Sequence, residues 1–141
     1  MPPGDVTSPW FTGSGGTLGS LEKGVADTKD IIYVRDGQAS KITAGGRAST
    51  WPSNAIPAGN FKWDPNACAN FVWTSGNIIS YDDEDAIYHK AKYVKDHGLG
   101  GVMVWEVDGD TDQGALAKAF VSGLRTGTVP PKGKTCNHVA P

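Results

Sequence analysis

The sequence is 141 residues long, 38% hydrophobic and 20% charged, which is one modest domain with enough apolar material for a core and excludes a wholly disordered chain. Thirteen Lys+Arg against fifteen Asp+Glu give a net charge of −2, so nothing drives the chain electrostatically toward nucleic acid or anionic lipid. No apolar run approaches the roughly 18 residues that span a bilayer.

Met1-Pro2-Pro3-Gly4-Asp5 has neither a basic stretch nor an apolar segment, so no signal peptide is encoded there. Gly13 to Gly19 is too glycine-rich to hold a helix or strand. Its spacing fits neither G-x-G-x-x-G nor G-x-x-x-x-G-K-[ST], which removes a phosphate-binding reading. The run Ile31-Ile32-Tyr33-Val34, followed by Asp36-Gly37, predicts a strand and turn. A second short strand near Lys41-Ile42-Thr43 would complete a small hairpin. Residues 51–65 hold three prolines and read as loop.

The second half is more strongly patterned. Asn70-Phe71-Val72-Trp73 and Ile78-Ile79-Ser80-Tyr81 flank Thr74-Ser75-Gly76-Asn77, a hairpin signal. Asp82 or Asp83 then caps a helix whose first turn carries Glu84 and Asp85 at the positive end of the dipole. Ile87, Ala91 and Val94 form its apolar stripe, His89 and His97 lie on its exposed face, and Gly98 stops it. Val102-Met103-Val104-Trp105 reads as a strand buried on both faces of a parallel sheet. A polar loop, 108–112, caps a last helix from about Gln113 to Leu124, with Leu116, Phe120 and Leu124 on one face. Helix, buried strand, acidic loop and helix make an α/β order. Val129 to Lys134 reads as an extended linker.

The loop Asp108-Gly109-Asp110-Thr111-Asp112 has carboxylates at calcium-loop positions 1, 3 and 5. Gln113 and Ala119 stand where an EF-hand needs Gly and a bidentate Glu, so a solvated helix cap is the expectation. His89, His97 and His138 have no metal-ligand spacing with Cys68 or Cys136, and no metal or cofactor is expected. The two cysteines are either one disulfide or unrelated thiols. Of the five tryptophans, Trp10, Trp51, Trp63, Trp73 and Trp105, the last is the sharpest binding candidate. An aromatic face matches the apolar face of a sugar ring, and ligands bind at the carboxyl ends of buried parallel strands.

Ile79-Ser80-Tyr81-Asp82-Asp83, Ala91-Lys92-Tyr93-Val94-Lys95 and the run from Gly98 to Asp110 closely resemble the end of a family 18 glycoside hydrolase, the chitinases. The resemblance covers 61–124; Trp10 with Thr12-Gly13, and Leu21 to Asp27, extend it upstream. It implies an α/β fold, a partial TIM (β/α)8 barrel in which the helix after Asp83 is the seventh, strand 101–106 the eighth and helix 113–124 the last, with a small α+β insertion. The expected organisation is 1–65 insertion-like and loop-rich, 66–126 last barrel elements, and 127–141 tail or linker.

In this family a Glu protonates the glycosidic oxygen and the substrate's own N-acetyl carbonyl attacks the anomeric carbon. The family's D-x-x-D-x-D-x-E motif and its sixth-strand Tyr-Asp pair occur nowhere in this sequence, so no catalytic residue carries over. Glu106-Val107-Asp108-Gly109-Asp110 imitates the motif with the wrong order and spacing. Strand alternation would turn Glu106 away from the face that Trp105 presents. Trp105 carries over as the apolar floor under the sugar, and Glu22 as a residue facing the cleft from the insertion. Leu21 stands where some relatives have an aromatic sugar contact.

The expectation is the C-terminal segment of a secreted chitinase-like hydrolase acting on β-1,4-linked N-acetylglucosamine polymers, truncated, with Met1 an internal or artificial start, and inactive alone. A non-catalytic chitin- or oligosaccharide-binding module is the alternative, and a piece with no independent function the third reading. Unpaired barrel edges would favour self-association.

Overall fold

The computed structural model describes residues 27–45, 56–74, 77–125 and 130–137, and divides into two compact units. Among the described residues, the first unit holds 27–45, 56–62, 71–74 and 77–81, and the second holds 63–70, 82–125 and 130–137. Ser75, Gly76 and the stretch 13–19 lie outside the described residues, as do Trp10, Trp51 and His138.

In the first unit the predicted strand at 31–34 is instead part of a helix, α1 (Thr28–Arg35). Ile31, Ile32, Tyr33 and Val34 are all buried, so the run is apolar all round, and a short run of that kind fits a buried helix turn as well as a strand. The Asp36-Gly37 signal is its C-terminal cap. Gly37 has φ +72°, its N–H donates to the Val34 carbonyl, and the Gln38 N–H donates to that of Tyr33. That is a Schellman motif, which needs the same positive-φ glycine as a hairpin turn. The second predicted strand is likewise a 3₁₀ segment, Ala39–Gly45.

The strands are β1 (Phe61–Asp64), β2 (Ala69–Thr74) and β3 (Asn77–Tyr81), ordered β1-β2-β3 in one sheet. β2 and β3 pair with each other, as the sequence predicts for the two runs within 70–81. β1 falls within the segment read as loop: Pro57 and Pro65 lie outside the strand, so neither removes a ladder donor. Alternation turns Val72, Ile79 and Tyr81 inward, where with Ile31, Val34 and Ile56 they form the first core.

The second unit is built on α2 (Glu84–Asp96) and α3 (Ala115–Arg125). Asp83 caps α2, its Oδ1 accepting from the N–H groups of Asp85 and Ala86 at 3.1 Å each. α2 also ends in a Schellman motif: Gly98 donates to Lys95 and Leu99 to Val94. Ile87, Tyr88 and Ala119 form the core between the helices, with Leu116 and Phe120 packed beside them. The buried seam of α3 runs through Ala119 and Gly123, with Leu116, Phe120 and Leu124 only half-buried.

Three expectations for this unit are corrected. Residues 101–106 form no strand, and 101–108 are exposed; a parallel strand needs ladder partners, and among the described residues the sheet contains only β1, β2 and β3. The stretch 130–137 is no free linker: it packs on the start of α2 and on the turn 65–68, with Cys136 disulfide-bonded to Cys68. His89 is half-buried rather than exposed, its ring against Trp63 and Tyr88.

Candidate functional site

The segment joining α2 to α3 carries the principal candidate. It leaves α2 at Gly98, bends at Gly100, has no regular secondary structure over 101–106, and makes one 3₁₀ turn at Val107–Gly109 before α3. Trp105 is 89% exposed, with Met103 at 80% and Val107 at 81% on either side of it in the chain. The Trp105–Glu106 peptide is cis.

The acidic end of this segment is committed to structure. Asp110 Oδ1 accepts from the N–H groups of Thr111 and Leu116, and its Oδ2 accepts from that of Ala117 at 3.0 Å. Thr111 Oγ1 accepts from Ala115. The loop is the helix cap expected from sequence, with four of the donors at or near the start of α3 satisfied by two side chains. Among the described residues, no group of three or more His, Cys, Asp or Glu is placed to hold a metal ion, and no helix is long and apolar enough to cross a membrane.

Glu106 is exposed and precedes the 3₁₀ turn, its carbonyl accepting from the Gly109 N–H. With no strand at 101–106, alternation does not fix its direction relative to Trp105. Glu22 and Leu21 lie outside the described residues. Trp63 and Trp73 are both half-buried and packed: Trp63 Nε1 donates to the Thr135 carbonyl at 2.9 Å, while Trp73 lies beside Phe71 and under Lys62.

A second polar constellation was not read from the sequence. Asp83 and Asp85 are fully buried, and Asn70 nearly so. Lys134 Nζ donates to Asn70 Oδ1 at 2.7 Å and to Asp83 Oδ2, and lies over the Trp63 ring. The Asp85 carboxylate accepts the backbone N–H groups of Lys132 and Lys134 at 2.6 and 2.9 Å. His89 Nε2 donates to the Lys134 carbonyl at 2.8 Å, which fixes the proton on Nε2 because a carbonyl only accepts. Burial alone would raise the Asp83 carboxyl; the Lys134 ammonium, the Ala86 N–H and the Asn70 amide outweigh it and hold Asp83 below the ordinary carboxylate value. Lys132 and Lys134 lie 45 to 64 positions from these partners in the chain, and no local spacing pattern announces the contacts.

The family model for glycosyl hydrolases family 18 matches residues 6–110. Chitinase A1 of Niallia circulans is 28% identical over 92% of this chain, and chitinase A of Pseudoalteromonas piscicida 29% identical over all of it. The chain spans 22% and 16% of their respective lengths. Among solved structures, the chitinase ChiW from Paenibacillus sp. str. FPU-7 is 24% identical with a TM-score of 0.47, over 81% of this chain and 13% of that one. The chitinase domain of the spore coat protein CotE from Clostridium difficile is 21% identical with a TM-score of 0.42, over 83% of this chain and 41% of that one.

Proposed function

Because the chain belongs to glycosyl hydrolase family 18, we propose that it is the C-terminal segment of a chitinase-like enzyme acting on β-1,4-linked N-acetylglucosamine polymers, and that Trp105 supplies the apolar floor beneath a bound sugar. The observation that carries this is the 89% exposure of Trp105. A large aromatic at such exposure forgoes burial worth roughly 1.5–3 kcal/mol, and a sugar's apolar face is a surface that would restore it.

The chemical division of labour follows from the residues present. The reaction needs a carboxylic acid within hydrogen-bond reach of the glycosidic oxygen, and the family draws it from the D-x-x-D-x-D-x-E motif, which this sequence does not contain. This segment therefore contributes binding surface, and the proton comes from elsewhere in the barrel. On this reading 1–65 is the α+β insertion and 66–126 carries the last elements of the barrel. The half-buried Cys68–Cys136 disulfide supports secretion into an oxidising compartment. The exposed Met103, Trp105 and Val107 support self-association where the rest of the barrel does not cover them. A non-catalytic oligosaccharide-binding module is the second reading, favoured by how fully the second unit caps its own helices while presenting Trp105 to solvent.

One aromatic–sugar contact contributes about 1–2 kcal/mol, so binding by the isolated chain is weak. Titration of an N-acetylglucosamine oligomer, followed by the Trp105 indole NMR signal in the chain and by a binding isotherm in Trp105→Ala, tests it. Loss of about tenfold in affinity is expected. Equal affinities would remove Trp105 from the site.

A further inference from the structure

The segment 130–137 is held at two separate places of different chemistry. Its inner anchor lies at the start of α2: the buried Asp85 carboxylate takes the Lys132 and Lys134 N–H groups, Lys134 Nζ reaches Asn70 and Asp83, and His89 holds the Lys134 carbonyl. The outer anchor lies on the turn 65–68. There the Asn137 N–H donates to the Pro65 carbonyl at 2.8 Å, Asn137 Nδ2 donates to Asn66 Oδ1 at 2.7 Å, and Cys136 is bonded to Cys68. The Asn137–Asn66 bond is exposed, and both cysteines are only half-buried. Cys68 has φ +49°, a left-handed conformation costly for a residue other than glycine, so the turn is held in a shape that its own residues do not favour.

We propose that 130–137 is a two-anchor strap whose outer anchor is thiol-sensitive and whose inner anchor is not, so that reduction of Cys68–Cys136 loosens 135–137 while 132–134 stays on α2. A small dithiol supplies the reaction. Its thiolate attacks one sulfur of the cystine and breaks the S–S bond, giving a mixed disulfide and one cysteine thiolate. The second thiol of the reagent then displaces the other cysteine, so the protein gains two electrons and two protons as two thiols and the reagent departs as a cyclic disulfide. The exposed amide–amide bonds left at the outer anchor compete with water and hold little on their own. At the inner anchor the bonds to Asp83 and Asp85 are charge-assisted and end on fully buried carboxylates, which makes them the stronger set. The Trp63 ring lies at the junction, donating to Thr135 beside Lys134; loosening beyond 134 releases its indole N–H to solvent.

Amide hydrogen exchange of the full chain, oxidised and in the presence of a dithiol, reads the two anchors separately. Exchange at the Asn137 amide should rise about tenfold or more on reduction, with Lys132 and Lys134 changing less than about threefold. Cys136→Ser should reproduce that pattern without reductant, and Asp85→Asn in the oxidised chain should produce the opposite one. Protection at the α2–α3 core amides reports whether each variant is folded. If all three strap amides are released together by reduction, or none is, the strap has one anchor and the proposal fails; loss of α2–α3 protection on reduction also overturns it, since the disulfide would then hold the whole unit.

Discussion

Gly123 of α3 lies so close to α2 that a Cβ built on it would come within 2.5 Å of the Tyr88 carbonyl oxygen and 2.7 Å of the Ala91 Cβ. The helices pack through Ala91, Ala119 and Gly123 because these side chains let two backbones approach. In an isolated helix Gly→Ala gains about 1 kcal/mol of propensity. Here the atoms that must move include the Tyr88 carbonyl and the Lys92 amide, and overpacking of this kind costs about 1–3 kcal/mol. Gly123→Ala is therefore expected to destabilise the second unit by about 1 kcal/mol net, up to about 2. A lowered urea midpoint with an unchanged slope is the signature to look for.

Asp83 does two jobs that one substitution separates. Asn is as good an N-cap as Asp, so Asp83→Asn keeps the bonds from Asp85 and Ala86 while removing the charge that faces Lys134. A fully buried pair broken in this way costs about 3–5 kcal/mol; the Lys134 side chain keeps 28% of its exposure, which brings the expectation down to about 1–3 kcal/mol. The sign of the pH dependence follows from the direction of the shift. The folded carboxyl titrates below its unfolded value of about 3.9, so its contribution is fully present well above that pH and is lost as pH falls through the folded value. The wild-type advantage over Asp83→Asn should be constant between about pH 5 and pH 7 and shrink below about pH 4. Urea midpoints across that range measure it.

The elements legible in the sequence are those in which several local signals agree. For α2 the cap, the acidic first turn, the stripe and Gly98 all point to one helix; the β2–β3 hairpin has two apolar runs around a glycine-containing turn. The run 31–34 misleads because four apolar residues hold too little periodicity to separate helix from strand, and the glycine after them serves either. The strap was invisible for a different reason. Its partners, Asp83, Asp85, Asn70 and Cys68, are distant in the chain, and Pro130-Pro131 reads as linker whether or not the residues beyond are anchored. Trp105, the aromatic that the sequence singles out, is the most exposed of the described tryptophans, but the paired strand expected beneath it requires neighbours that the described residues do not include.

Asp110 is the residue on which the start of α3 depends. Asp110→Ala removes the acceptor for the N–H groups of Thr111, Leu116 and Ala117, and cap losses cost about 0.5–2 kcal/mol. Exchange at the Leu116 and Ala117 amides should accelerate, with little change at Ala91 in α2. Because both Asp110 oxygens already accept backbone donors, millimolar calcium is expected to leave the thermal midpoint unchanged; a rise on adding calcium would show that loop 108–112 prefers the ion to the cap.

The isolated chain is expected to release no product from a fluorogenic chitobioside, and to gain activity when mixed with a fragment carrying the first six strands of a related barrel. General acid catalysis asks for a carboxylic acid held within hydrogen-bond reach of the leaving oxygen. Asp110 is bound to three backbone amides, and Asp108 lies exposed in the 3₁₀ turn beside it. Glu106 is the substitute to exclude, since it adjoins Trp105 and is exposed. Among the described residues no wall surrounds it to hold it against a substrate, and an exposed carboxylate without one forfeits the positioning that makes acid catalysis effective. The assay needs three arms: the chain alone, the chain with the complementing fragment, and Glu106→Gln in both. Activity restored by the fragment and insensitive to Glu106→Gln assigns the acid to the earlier strands. Turnover by the chain alone that Glu106→Gln abolishes would overturn the assignment and make Glu106 the acid of a minimal enzyme.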